Sequence, residues 1–144
     1  MFTPCGPIQA ATFGGMDIVS ALFVEGIDMR QVPGPATRFD LTGVMFSLAA
    51  PSPPPVTISP HLIVFIRCRA GEPGQGTMEV RFLDAAGEEV ARNAQPVNVQ
   101  PGKFGRQLVK GDMKYEDYGT IEAHVRLVGG PTVVVPLTLL PAPG

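Results

Sequence analysis

The sequence predicts an all-β fold: one antiparallel β-sandwich, immunoglobulin-like with Greek-key connections, of about eight strands and with little or no helix. Three observations carry this expectation. Glycine (17) and proline (16) are spread along all 144 residues, so few windows can hold several uninterrupted helical turns. Apolar and polar residues alternate with a period of two in several stretches. Short glycine-bearing connections separate those stretches, as in hairpins.

The elements follow in order. QAATF and the long run MDIVSALFVEGIDM are expected to form a hairpin about Gly14 and Gly15, with a bend at Gly26. Phe39 and Leu41 alternate on one parity, whereas Val44, Phe46 and Leu48 continue on the other, so a bulge or bend is expected at Gly43. Pro51, Pro53, Pro54 and Pro55 hold the next stretch extended, near polyproline II geometry. Residues 1–48 supply too few strands to close a core alone, so residues 1–144 read as one domain. Residues 49–60 are then a stiff loop between sheets and not a linker between domains. In HLIVFIRC, Leu62, Val64, Ile66 and Cys68 share a parity and should face the core. In TMEVRFLD, Met78, Val80 and Phe82 oppose Glu79 and Arg81, and Asp84–Gly87 turns the chain into EEVARNAQ. In TIEAHVRLV, Ile121, Ala123, Val125 and Leu127 oppose Glu122, His124 and Arg126. Gly129 and Gly130 then lead into TVVVPLTLL, where Pro136 lacks an N–H and marks an edge or a bulge.

Two resemblances accompany this pattern. DYGTIEAHV, residues 117–125, resembles the start of strand F in immunoglobulin-like domains, Asp-x-Gly-x-Tyr-x-Cys. Asp117 and Gly119 match, while Ile121 and Ala123 stand where the tyrosine and the cysteine would be. The tyrosine corner and the inter-sheet disulfide of those domains are therefore both missing. The stretches VEGIDMRQVPGP, PHLIVFIRCRA, TMEVRFLDAAGEEV and YGTIEAHVRLVGGPTVVVPLTLL are similar, in the same order, to a family of small actinobacterial β-sandwich proteins of unknown function. They cover roughly half the chain. That resemblance implies a fold and transfers no activity and no functional residue.

Composition narrows the function. The net charge is -2 and the arginines are interspersed with acids, which argues against nucleic acid as a partner. No apolar run reaches the ~18 residues that a membrane helix needs, so no membrane insertion is expected. MFTPCGPIQA lacks the basic start and apolar run of a signal peptide, so a cytoplasmic protein, or one inside a larger assembly, is expected. Cys5 and Cys68 have no CxxC spacing and no nearby histidine; a bridge between them is left open, and Cys68 reads as a small buried hydrophobe.

Catalytic signals are weak. There is no GxSxG, and Ser20, Ser47, Ser52 and Ser59 have no neighbouring histidine. His61 and His124 read as surface residues. Asp112, Glu116 and Asp117 could offer oxygens to calcium but read as a solvated loop beside Lys110 and Lys114. GEPGQG lacks the Lys-Ser/Thr sequel of a phosphate loop. No catalytic residue, metal or cofactor is expected. Outward apolar residues carry the remaining signal. If the even positions of HLIVFIRC face the core, Ile63 and Phe65 face outward beside Arg67, and Val134 and Pro136 do the same in the last strand. These five form the candidate interface for a protein partner or for self-association, the equal alternative being that the chain's own N-terminal arm or loops cover the second face. The chain is thus expected to be a non-catalytic interaction module or assembly subunit, with a phage or virion decoration or tail component as a special case. A carbohydrate-binding module would need exposed aromatic platforms, for which only Tyr115 and Tyr118 are candidates among the larger polar aromatics. A small hydrolase would need His61 or His124 to meet a serine or acid in a cleft.

Overall fold

The structure, a computed structural model, describes residues 15–34 and 36–143. Twelve strands and no helix occur among them. They are β1 (Met16–Val24), β2 (Gly26–Gln31), β3 (Thr37–Thr42), β4 (Ser47–Ala49), β5 (Val56–Ile58) and β6 (His61–Cys68). Then come β7 (Gln75–Leu83), β8 (Glu89–Asn98), β9 (Phe104–Lys110), β10 (Met113–Tyr115), β11 (Gly119–Leu127) and β12 (Thr132–Leu140). A three-stranded sheet, β1-β6-β9, faces a five-stranded sheet, β4-β12-β11-β7-β8. Two further ladders pair β2 with β3 and β5 with β10.

The core follows from the alternation. Leu62, Val64, Ile66 and Cys68 of β6 meet Met78, Val80 and Phe82 of β7 together with Ile121, Ala123 and Val125 of β11. Val135, Leu137 and Leu139 of β12 complete the layer. Each such aliphatic or aromatic side chain contributes about 1.5–3 kcal/mol by leaving water. The fold is the expected β-sandwich. The strand count exceeds eight because the chain breaks into separate strands at Glu25, just before Gly26, and at Gly43, and because β4, β5 and β10 are three residues each. Gly43 has a left-handed φ of 64°, which side-chain-bearing residues adopt at a cost.

The chain crosses between the two sheets. β1 pairs antiparallel with β6 in one sheet, whereas β4 pairs parallel with β12 in the other. The proline stretch then carries the chain from β4 back to β6 across the gap. Its Pro54–Pro55 peptide is cis, a departure from a uniformly extended run. β11 lies at the centre of the five-stranded sheet, between β7 and β12. Pro136 lies in a strand with neighbours on both sides, yet its nitrogen faces an edge. The Thr138 N–H reaches Phe46 O at 2.9 Å, so Pro136, two residues earlier, points its nitrogen to the same side, before β4 begins. The hairpin expected between QAATF and β1, and any bridge to Cys5, lie outside the described residues.

Part of the second face of the three-stranded sheet is covered by the chain itself. In the β2–β3 ribbon, Ile27 pairs with Leu41 and Met29 with Phe39, which gives it one apolar side. The Phe39 ring lies 5.4 Å from the Phe65 ring, and the Arg106 guanidinium stands 5.8 Å from the Phe39 centroid. Val24 and Ile63, both on the outward parity, are fully buried. This corrects the expectation for Ile63. Its exposure is 0%, because a ribbon from residues 26–42 folds back over the sheet.

Candidate functional site

The five residues of the candidate interface do not form one surface. Ile63, Phe65 and Arg67 belong to the outer face of the three-stranded sheet. Val134 and Pro136 belong to the outer face of the five-stranded sheet, on the other side of the core. Ile63 is buried and Phe65 half-buried beneath the ribbon, so neither is available to a partner in this arrangement. Arg67 is exposed and donates to Asp17 Oδ2 at 2.5 Å. Val134 is 46% exposed, and Pro136 is exposed as well.

Around those two residues the five-stranded face is charged. Arg126 donates twice to Glu79 Oε1, at 2.8 and 3.1 Å. Glu89 accepts from Arg81 at 2.8 Å and from Arg92 at 3.0 Å, and these hydrogen bonds hold its carboxyl below the usual carboxylate range. His124 Nε2 lies 3.1 Å from Glu122 Oε1. Cross-strand ion pairs of this exposed kind are each worth little and mark a solvated face.

Two exposed apolar side chains, Phe104 and Leu108, stand on β9. Phe104, Arg106, Leu108 and Lys110 point outward, while Gly105, Gln107 and Val109 point toward β8 and the core. Phe104 is 63% exposed, the highest value among the large apolar residues described. Leu108 is exposed in the same row, and Met29 on the ribbon is 58% exposed. The inward row explains why the strand is hard to read. A Cβ on Gly105 would press on the Val99 side chain. Gln107 Nε2 donates to Gln95 Oε1 at 2.8 Å, and Gln95 Nε2 donates to Leu108 O at 3.0 Å, so amides join β8 to β9 where apolar residues would be expected.

The catalytic and metal readings gain no geometry. Ser59 Oγ donates to Asp112 Oδ1 at 2.5 Å, while His124 meets Glu122 on an open sheet face. No hydrogen bond among the described residues joins a serine to either histidine. No group of three His, Cys, Asp or Glu among the described residues is placed to hold a metal ion. Asp117 Oδ1 accepts the Tyr118 N–H at 2.7 Å, and Asp84 Oδ1 accepts the N–H groups of Ala86 and Glu88 at 2.9 Å each. These carboxylates shape turns. Tyr115 is no platform: it is buried, and its hydroxyl donates to Leu137 O at 2.6 Å. Burial pushes its pKa up to about 12, opposed in part by a backbone hydrogen bond from Ile121. The bond ties β10 to β12, a role like that of the corner tyrosine missing at position 121.

No protein-family profile and no curated protein matches the chain. Among solved structures, a β-glucuronidase from glycoside hydrolase family 2 superposes with a TM-score of 0.50 at 13% identity, covering 59% of this chain and 10% of that one. A β-glucosidase from Listeria innocua, in complex with gluconolactone, gives 0.51 at 13% identity, covering 85% of this chain and 16% of that one. The isofagomine complex of the same enzyme gives 0.51 at 13% identity, covering 85% and 17%. The chain spans less than a fifth of each. These likenesses show the β-sandwich fold. No helix among the described residues is long and apolar enough to cross a membrane.

Proposed function

We propose that the chain is a non-catalytic protein–protein interaction module or assembly subunit, and that the outward row of β9 is its contact surface. The observation that carries this reading is Phe104, an aromatic ring standing 63% exposed on a sheet whose outward face is sealed further along, at Ile63. The ribbon shields Ile63 and part of Phe65 but stops short of Phe104, and Leu108 continues the apolar row. Apolar surface left open beside a covered face is what an interface core requires, and aromatic residues dominate such cores. Val134 supports a contact surface less well, because its neighbours are ion-paired charges.

A photo-cross-linking amino acid placed at position 104, or at position 134, tests the reading in cells. A discrete protein adduct from position 104 and none from 134 is the expected outcome. Adducts from 134 alone, or from neither, would sink it.

A further inference from the structure

The surface around Phe104 carries charge as well as an aromatic ring. Phe104 lies directly across from Arg67 in the ladder, Arg106 is the next outward residue on the same strand, and Lys103 precedes it. Asp17 takes a hydrogen bond from Arg67 and sits 3.1 Å from Arg69, so one carboxylate faces two guanidiniums. The ring therefore stands within a rim of net positive charge.

The opposite end of the sandwich carries the complement. A depression of about 250 Å³ opens between the β7–β8 turn and the β10–β11 loop. Ala85, Ala86 and Tyr118 supply apolar lining, while Asp84, Glu116 and Asp117 supply acids. Lys114 is the one cation in its lining and is spent on Glu116, 3.3 Å away. The hydrogen bonds that Asp84 and Asp117 accept fix the two loops in place.

The two surfaces cannot meet within one molecule. Phe104 lies beside the end of β6, at Arg67, whereas the depression lies toward its beginning. Eight residues of strand separate those ends by about 25 Å. A ring with a cationic rim and an apolar depression with an acidic rim fit each other only between molecules.

We propose that a second copy of this chain is the partner, with Phe104 and its flanking Arg67 and Arg106 seated in the depression formed by Asp84, Ala86, Asp117 and Tyr118 of the next copy. The proposal rests on the interaction-module reading and names its partner. Because the two surfaces differ, the contact is head-to-tail and each added copy leaves one free surface of each kind, so the product is a ring or an open chain. Asp17 interrupts the cations, which suits a protein's discrete acids better than a continuous phosphate track.

Complementation tests it directly. Phe104→Glu removes the ring, and Ala86→Arg fills and reverses the depression; both positions are exposed, and circular dichroism checks that both variants fold. Light scattering should show the wild-type chain growing in mass with concentration. Growth should fade between about 0.1 M and about 1 M salt, as the screening length falls from about 10 Å to about 3 Å. Each variant alone should associate about thirtyfold more weakly, the size of a hot-spot loss. Mixed in equal amounts, the two variants should form a one-to-one complex that grows no further. Variants that fail alone and also fail together would overturn the head-to-tail contact. Self-association indifferent to both substitutions would overturn it too, while leaving an assembly subunit. A wild-type chain that stays monomeric would overturn it and leave the module reading to the adduct from position 104. A monomer that instead binds a single-stranded oligonucleotide, and loses it on Arg106→Glu, would overturn both.

Discussion

Ile63 and Phe104 point outward from the same sheet, and their surroundings give them opposite roles. Ile63 is sealed under the β2–β3 ribbon, so Ile63→Ala should cost about 2–5 kcal/mol, read from urea unfolding. Phe104→Ala should change stability by less than about 0.5 kcal/mol, since the ring is mostly in water already. Equal costs at the two positions would contradict the covering ribbon. The period-two alternation placed Ile63 on the correct face, but it holds no information about what folds over that face. Tyr115 carries the second residue-scale prediction. Its pKa is raised to about 12 by burial, from about 10 for the unfolded chain. The neutral phenol is the form the fold accepts. Its contribution is therefore complete below pH ~10 and is lost as the pH rises toward ~12, by about 2–3 kcal/mol. Tyr115→Phe should remove this part of the alkaline slope. At neutral pH it should cost about 1–2 kcal/mol by leaving the Leu137 carbonyl without its partner. An unchanged alkaline slope in the variant would count against this assignment.

Among the elements, β6, β7, β11 and β12 were legible because their inward rows are uninterrupted apolar residues bounded by glycine turns. β9 was not, since glycine and glutamine occupy two of its inward positions and the apolar residues stand outside. The candidate contact surface was hidden with it. The ribbon was legible as two alternating runs, but its docking depends on a contact between residues 39 and 65, which no local pattern encodes. That contact is testable. Phe39→Ala and Phe65→Ala, combined in a double-mutant cycle, should show a coupling of about 0.5–1.5 kcal/mol, the range for tilted aromatic pairs. Additive losses would mean that the ribbon is held elsewhere. Gly74 shows the opposite case, a small residue whose reason is tertiary. A Cβ there would overlap the Val99 carbonyl oxygen, which accepts no substitute for glycine without moving the β8 end.

At the scale of the molecule, prolines block the open edges of the five-stranded sheet at β8 and β12. Pro96 sits on β8 across from Thr77, whose carbonyl is turned away toward Val128, so the proline nitrogen falls on the free edge. Pro136 does the same on the open part of β12. Prolines at such positions block strand addition and direct association to faces and ends. The net charge of -2 conceals how the charges are distributed. Arginines that alternate with acids along the chain are collected beside Phe104 by the pairing of β6 with β9, and the acids of the β7–β8 and β10–β11 loops are collected at the other end. Composition could not reveal that polarity, because strand order decides it. Amide hydrogen exchange of the wild-type chain, compared between dilute and concentrated solutions, reads the contact between copies residue by residue. Added protection at residues 103–106 and at residues 84–88 and 116–118, with residues 132–136 unchanged, is the predicted result. Protection that rises at residues 132–136 instead, or nowhere, would contradict a contact made through β9.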